Sequence, residues 1–311
     1  MSKPSPSSAR ALRRRAAAVR DAAMAALTIA LLRLIRLSSR RRTADFFGWL
    51  MRTLGPWLPE NGIGRANLVA AFPDKPAPEI ERILAGVWDN LGRFGVEFAH
   101  IDRLSITNPG RQDDDIIPDA ASLERFLRLR SDGGAALVFA SHLANWELPA
   151  VVAARHGLDA VVLYRRPNIR AVSEAVVKIR AGAMGTLVAT AWDAPIRLLN
   201  SLEANRRVAM LVDQHYAKGV DVLFFGRRCK ANPLIAQLAR RVECPIYGTR
   251  VVRRPDDRNR FMAEITEPIE PARDAEGKID VQGTMQAITT VVEGWVREHP
   301  EQWLWLHRRW R

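Results

Sequence analysis

The chain has 311 residues, of which 48% are hydrophobic and 26% charged, a balance that excludes a disordered protein and indicates a globular one. It contains only two cysteines, Cys229 and Cys244, which excludes a disulfide scaffold, and no Cys/His cluster has the spacing of a zinc site. The formal net charge is +13, but residues 1–42, with 11 basic residues and one acidic residue, carry +10 of it. The composition therefore predicts a nearly neutral globular body, residues 43–311, preceded by a basic N-terminal arm.

The basic arm, residues 1–42, has the pattern of a membrane-associated helix. Its first ten residues are rich in Ser and Pro, and we expect them to form a disordered tip. A largely apolar run over residues 22–32 follows several arginines, and its 11 residues are fewer than the ~20 that cross a bilayer in one pass. The arm therefore predicts a helix held at a membrane interface by apolar burial and anionic headgroups, either lying on the surface or forming a short tilted span.

Other interpretations of the arm remain open. A solvated basic helix and a nucleic-acid-binding arm have similar compositions. A cleaved signal peptide also has a basic start and a short apolar core, but here the apolar stretch runs into Arg40, Arg41 and Arg42 without a clear small-residue cleavage site. We therefore favour an uncleaved membrane anchor.

The body divides into a helical part, residues 43–131, and an α/β part, residues 132–311. In the first part, apolar residues at three- and four-residue spacing predict helices over residues 44–57, 79–99 and 120–130, with a polar linker over residues 102–117 that contains an acidic run, Asp113, Asp114 and Asp115. In the second part we predict strands over residues 135–140, 160–164, 187–189, 207–212, 246–253 and 260–267, the last two forming a pair. The helices predicted between and after them cover residues 146–155, 169–180, 194–203, 233–241 and 281–298. This alternation predicts an α/β fold with a central, mostly parallel sheet flanked by helices, whose sites lie beyond the C-terminal ends of the strands.

The segment FASHLANWE places His142 just beyond the first strand of the α/β part, and Glu147 follows five positions later. On one continuous helix the two side chains would point ~140° apart, because five residues turn ~500°. A turn between them removes this obstacle and lets the carboxylate reach one imidazole nitrogen, which leaves the other nitrogen free to accept a proton. A neutral imidazole whose tautomer is fixed by a carboxylate is a competent general base. The pair is therefore a candidate for catalysis, although the His-x4-Glu spacing alone is common.

Other polar residues at element ends are weaker candidates. Asp213, in VDQH, follows the strand that ends at residue 212, but Asp also stabilises ordinary turns. Arg180 ends a helix, where a cation also complements the helix dipole. Ser141 stands beside His142, but the G-x-S-x-G elbow of serine hydrolases is absent.

Five segments together resemble the lipid A biosynthesis acyltransferases, the lauroyl and myristoyl transferases that act on Kdo-lipid IV(A), within the lysophospholipid acyltransferase-like superfamily. They are RANLVAAFPD, WDNLGRFGVEF, FASHLANWELPA, MLVDQHYAKGVDVLFFGR and HPEQWLWLHRRW. The basic arm and the helix that ends in Arg180 fit as well. The resemblance covers most of the chain apart from the N-terminal tip and the polar linker, and it implies one acyltransferase domain of glycerolipid-acyltransferase-like fold over residues 43–311.

The resemblance also implies the chemistry. In that family the His of the His-x4-Asp/Glu motif is the base and the acidic residue orients it, which assigns these roles to His142 and Glu147. A downstream Arg and an Asp are also implicated, and they correspond to Arg180 and Asp213. An acyl-carrier-protein thioester donates the acyl chain, and a hydroxyl group of a lipid A precursor accepts it. The resemblance implies neither a metal nor a cofactor.

The implied location is the cytoplasmic face of the inner membrane. The implied partners are acyl carrier protein, the lipid A precursor and membrane lipids, and not nucleic acid. Arg165 and Arg227 are candidates for binding lipid phosphates or the acidic carrier protein, or else ordinary surface charges. Trp303 and Trp305 belong either to an interfacial aromatic patch or to the core. An acyltransferase of the same superfamily with a lysophospholipid, glycolipid or ornithine-lipid acceptor is the alternative.

Overall fold

The computed structural model describes residues 6–106, 114–166 and 170–310, so the first five residues of the predicted tip, and Asp113 in the linker, lie outside the described residues. Residues 6–10, expected to be disordered, belong to the first helix. The helices are α1 (Pro6–Arg36), α2 (Arg40–Leu54), α3 (Pro59–Ala71), α4 (Ala77–Ala99), α5 (Ala120–Ser131), α6 (Leu148–Arg155), α7 (Arg170–Ala181), α8 (Ala194–Glu203), α9 (Leu234–Arg241) and α10 (Val281–Glu298). The strands are β1 (Ile116–Pro118), β2 (Ala136–Ala140), β3 (Ala160–Tyr164), β4 (Thr186–Ala189), β5 (Arg207–Leu211), β6 (His215–Phe224), β7 (Arg227–Ala231), β8 (Ile246–Arg253) and β9 (Phe261–Ile265).

A seven-stranded sheet with the order β1-β9-β8-β2-β5-β3-β4 forms the centre of the molecule. Strands β8, β2, β5, β3 and β4 run parallel to one another, whereas β9 is antiparallel to β8, and β1 runs parallel to β9. The central strand β2 reads as a continuous apolar run, ALVFA, because it is covered on both faces. The sheet and its flanking helices confirm the predicted α/β fold.

One face of the sheet packs on α8, α9 and α10 to form the main core. Phe139 of β2 belongs there to a single buried cluster with Leu198, Ile235 and Ile288. Helix α10 is fixed at its start by Asp280, whose side chain accepts hydrogen bonds from the backbone N–H groups of residues 282 and 283. Helices α5 and α6 cover the other face less completely, and this difference leaves space for the cavity described below.

A two-stranded hairpin of β6 and β7 lies outside the main sheet. Its two-residue turn consists of Phe225 and Gly226, which both have positive φ angles, 53° and 68°. This pair of angles is typical of a type I′ turn, which favours Asn-Gly rather than Phe-Gly. The hairpin was therefore not predicted from the sequence, and neither was the three-residue strand β1 within the polar linker.

The N-terminal helices contact the body of the protein. Helix α2 packs closely on α4, because a Cβ atom at Gly92 would lie only 2.2 Å from the carbonyl oxygen of Phe47. Arg36 forms an ion pair with Asp102, and Arg40 forms one with Asp115. These two arginines of the basic arm therefore bind the body of the protein. Among the described residues, no helix combines the length and the apolar character needed to cross a bilayer.

Candidate active site

A cavity of about 1030 Å³ lies between the second face of the sheet and helices α5 and α6. Side chains alternate along β2, so that Val138 and Ala140 face the cavity whereas Leu137 and Phe139 point into the core. Its volume is at the upper end of the ~300–1,000 Å³ typical of small-molecule sites. The polar residues that line it near the C-terminal edge of the strands include His142, Glu147, Arg165, Arg166, Arg180 and Gln214. Such a mostly apolar space, with His142 at one edge, suits a fatty acyl chain with a reactive end.

His142 and Asp213 meet because their strands are neighbours. Residues 140 and 211 pair in the parallel register of β2 and β5, and each polar side chain lies two positions beyond its strand. The Asp213 carboxylate accepts a hydrogen bond from the ring Nδ1–H of His142 at 2.8 Å and another from its backbone N–H at 2.8 Å. A third donor, the indole Nε1 of Trp303, lies 2.7 Å from the same carboxylate. The imidazole is therefore held in one orientation.

The electrostatics of this pair fix the histidine tautomer. Burial would by itself raise the pKa of the Asp213 carboxyl, but the charge and hydrogen bonds of His142 outweigh burial and hold that pKa well below its usual value. Because a charged carboxylate only accepts hydrogen bonds, the ring proton of neutral His142 is on Nδ1. Nε2 is then an acceptor, 3.3 Å from the side-chain amide nitrogen of Gln214. The arrangement can therefore remove a proton from a group bound beside Nε2.

Glu147 does not make the expected contact with the imidazole of His142. Its carboxylate accepts two hydrogen bonds from the guanidinium of Arg180, at 2.9 Å from Nε and 2.5 Å from the second nitrogen. Residue 147 directly precedes α6, and the tight turn before it, with Ala144 at a φ of 46°, directs the side chain towards α7. The expected partner of His142 is thus replaced by Asp213, and Glu147 and Arg180 form a separate ion pair at the edge of the cavity.

With this geometry established, comparison with known proteins gives a definite result. Residues 13–311 match the model of the bacterial lipid A biosynthesis acyltransferase family. The chain belongs to this family. It is therefore an acyltransferase of lipid A biosynthesis, which confirms the resemblance seen in the motifs. No match was found among curated proteins.

The two surface arginines singled out from the sequence lie in different places in the acyltransferase. Arg165, together with Arg166, follows β3, is exposed and lines the cavity. Arg227 begins β7, and its guanidinium lies over the ring of Trp310, 5.0 Å from the centroid. Arg227 is not among the described residues that line the cavity. Arg165 and Arg166 therefore lie at the cavity, whereas Arg227 lies on the surface beside Trp310.

Trp303 is a site residue that the sequence did not reveal. Trp303 and Trp305 are both fully buried, so the interfacial-patch interpretation is wrong for both of them. Residues 302–304 run antiparallel to residues 142–144 and exchange backbone hydrogen bonds with them, including one from the N–H of residue 304 to the carbonyl of His142 at 3.0 Å. The segment HPEQWLWLHRRW therefore supports the turn that carries the histidine. Within the described residues no cluster of three His, Cys, Asp or Glu side chains is arranged to bind a metal ion.

Proposed function

We propose that the protein transfers a fatty acyl chain from an acyl-carrier-protein thioester to a hydroxyl group of a lipid A precursor, at the cytoplasmic face of the inner membrane. The observation that carries the proposal is the His142–Asp213 pair at one edge of an apolar cavity of about 1030 Å³. The cavity supplies space for the acyl chain, and the pair supplies a base beside the position where its carbonyl carbon would lie.

The reaction follows from this arrangement. Nε2 of His142 takes the proton of the acceptor hydroxyl while the oxygen attacks the thioester carbonyl carbon. Asp213 stabilises the imidazolium that forms, because its carboxylate accepts from Nδ1–H throughout. The tetrahedral intermediate then collapses, the carbon–sulfur bond breaks, and the imidazolium returns the proton to the leaving thiolate. General base help of this kind contributes ~10²–10⁴ in rate.

The oxyanion needs a donor other than the backbone directly after His142. The N–H groups of Leu143 and Ala144 already donate to carbonyl oxygens, at 2.7 and 2.8 Å. Arg180 has five N–H groups and uses two of them on Glu147, so others remain to face the cavity that it lines. We assign oxyanion stabilisation to Arg180, since one such donor is typically worth ~3 kcal/mol.

The catalytic proposal is tested with purified protein, acyl-carrier-protein donors of several chain lengths and the tetraacylated lipid A precursor. His142→Ala should reduce transfer by ~10²-fold or more, because the base is lost. Asp213→Asn should also slow transfer, because its amide cannot serve as a charged acceptor for Nδ1–H. His299→Asn is the matched control, since His299 is not among the described residues that line the cavity, and it should retain turnover. Near-normal turnover by His142→Ala would refute the assignment.

Membrane association is supported by exposed apolar side chains on the N-terminal helices. We call this set the N-terminal apolar surface; it comprises Val19, Met24, Leu27, Leu31, Leu34, Leu37, Phe46, Trp49, Leu54, Trp57 and Leu58. Trp57 is 79% exposed and Trp49 is 52% exposed, although large aromatic side chains usually leave water. Arg33, Arg42 and Arg52 are exposed on the same helices. Aromatic rings next to basic groups are typical of proteins that bind an anionic membrane interface.

Vesicle co-sedimentation tests this surface. Replacing both Trp49 and Trp57 by Ser should weaken binding to anionic vesicles by ~10-fold or more, because each ring that leaves water contributes about 1–2 kcal/mol. Trp192→Ser is the matched control, since Trp192 is 92% exposed but follows β4, outside the N-terminal apolar surface. Equal binding by all three proteins would contradict the proposal. Steeply salt-dependent binding to nucleic acid, unaffected by detergent, would instead favour the nucleic-acid interpretation.

A further inference from the structure

A buried polar cluster lies beneath the turn between His142 and Glu147. We call it the turn-anchoring cluster; it comprises Asn90, Glu97, Asn145 and Arg253, each at most 4% exposed. The reaction steps above use none of these four side chains. Burying a charged pair is costly unless its hydrogen bonds are complete, so such a cluster needs an explanation other than stability alone.

One part of the cluster joins helix α4 to the end of β8. Asn90 and Glu97 are seven residues apart and therefore lie on one face of α4. Arg253 donates to both oxygens of Glu97, at 2.5 and 2.9 Å, and its Nε donates to the side-chain oxygen of Asn90 at 2.6 Å. The Glu97 carboxylate is thus neutralised and fixed in position without contact with solvent.

Asn145 connects the Glu97–Arg253 ion pair to the active site. Its side-chain NH₂ donates to Glu97 at 3.0 Å, while its side-chain oxygen accepts the backbone N–H of Glu147 at 3.3 Å. The NH₂ group of Asn90 donates to the carbonyl of Ala144 at 3.1 Å. Ala144 has a φ of 46°, a conformation that an alanine seldom adopts without support from its surroundings. The cluster therefore holds both ends of a strained turn, and one of those ends carries Glu147.

We infer that Asn145 is a positioning residue, anchored by the buried Glu97–Arg253 ion pair, that sets the Glu147 carboxylate against Arg180 at the edge of the cavity. The inference rests on the proposed function for its effect on turnover. An amide suits this place because it donates to a carboxylate and accepts from an N–H group at the same time. Aspartate would bring a second carboxylate within about 3 Å of Glu97, and alanine would remove both hydrogen bonds.

A double-mutant cycle with Arg180 tests the inference. Asn145→Ala should lower kcat/KM by about 10- to 100-fold, because small displacements of groups that position a substrate have effects of this size. In an Arg180→Ala background, where the Glu147–Arg180 pair no longer exists, the same substitution should have almost no further effect on kcat/KM. Asn145→Ser should retain more activity than Asn145→Ala, since a hydroxyl group can both donate and accept.

The matched control is Asn67→Ala. Asn67 is also a buried amide, but its NH₂ donates to the carbonyl groups of Trp305 and His307, away from Glu147. This variant should lower Tm to a similar extent and reduce kcat/KM, if at all, by the same factor with and without Arg180. Equal losses of kcat/KM for Asn145→Ala in the two backgrounds would overturn the inference, because a merely structural role acts independently of Arg180.

Hydrogen exchange separates this inference from the proposed function. The backbone N–H of Glu147 bonds to Asn145, so peptides covering residues 143–151 should exchange faster in full-length Asn145→Ala than in Asn67→Ala, with Asn145→Ser between the two. Unchanged exchange in Asn145→Ala would overturn the inference even if activity fell. If the unmodified protein transfers no acyl chain to the precursor, the proposed function fails, and the exchange rates still decide whether Asn145 holds the turn.

Discussion

His307 stays neutral because of its surroundings. Burial lowers its pKa to about 4, and the nearby Asp213 carboxylate opposes this effect only in part. Its ring packs edge-on against Trp303 with centroids 5.3 Å apart, and its Nδ1–H donates to the carbonyl of Leu304 at 2.6 Å. Protonation of this ring would therefore place an incompletely compensated charge next to the segment that supports the active site.

This histidine makes folding stability depend on pH. The unfolded chain binds the proton near pH 6.5 and the folded chain only near pH 4, so the unfolded state holds more protons between these values. The contribution of neutral His307 to the free energy of unfolding is then fully present above pH 6.5. It is lost as the pH drops towards 4, and the loss is about 3 kcal/mol in total. His307→Gln should flatten this dependence in urea denaturation measured from pH 4.5 to 7.5. Identical pH profiles for the two proteins would contradict the expectation.

The pairing of His142 with Asp213 could have been predicted in part from the sequence. Both residues follow apolar strands, and the ends of parallel strands meet at one edge of a sheet. The sequence does not show that β2 and β5 are neighbours, since 71 residues separate the two side chains. Nor does it show the positive φ of Ala144, which turns Glu147 away from the imidazole towards Arg180. The candidate residues were visible in the sequence, whereas their partners depend on strand order and on one local turn.

At the scale of elements, strand β5 forms part of the cavity wall. Ala209 lines the cavity, and its neighbours in register are Val138 on one side and Val162 on the other. Ala209→Leu would place a larger side chain in the middle of this space. We expect the ratio of kcat/KM for long-chain over short-chain donors to fall about 10-fold or more.

The same substitution at an exposed position provides the control for this prediction. Ala217 of β6 is exposed, and Ala217→Leu should leave the donor preference unchanged. A parallel loss of activity with all donors in Ala209→Leu would show that the variant is damaged in general. An unchanged preference would mean that the acyl chain does not pass beside β5.

Elements with a clear apolar pattern were predicted well. The bounds of β3, α8, β8 and α10 agree with the structure residue by residue. The hairpin of β6 and β7 was missed because its turn, Phe225-Gly226, lacks the usual Asn-Gly sequence and because exposed polar residues interrupt its apolar pattern. Strand β1 was missed because three residues in a polar linker carry too little periodicity. Both errors concern elements held by tertiary contacts rather than by local sequence preference.

At the scale of the whole molecule, ion pairs attach the N-terminal helices to the body. Arg40 bonds to Asp115, which also accepts the backbone N–H of Ser105 at 2.9 Å, and both charged side chains are at most 12% exposed. Asp115 belongs to the acidic run that the sequence placed in a linker. Asp115 therefore helps to attach the helices that carry the N-terminal apolar surface to the body of the protein.

Removing the ion pair between Arg40 and Asp115 should lower the free energy of unfolding. Asp115→Asn leaves Arg40 largely buried without a charged partner, and we expect the free energy of unfolding to fall by about 3 kcal/mol in urea denaturation. Asp256→Asn removes the partner of Arg254 in an exposed ion pair and should leave the free energy of unfolding unchanged within error. A small effect at Asp115, no greater than that at Asp256, would show that the N-terminal helices do not depend on this ion pair.

The pairing of residues 142–144 with residues 302–304 also has a consequence for biosynthesis. While the latter residues are still inside the ribosome, the nascent chain lacks Trp303 as a donor to Asp213 and lacks the backbone partners of the histidine turn. Helices α1 and α2, by contrast, precede the histidine turn in the chain and leave the ribosome before it. During synthesis the N-terminal apolar surface is therefore exposed before residues 302–304 can hold the imidazole of His142 in its orientation.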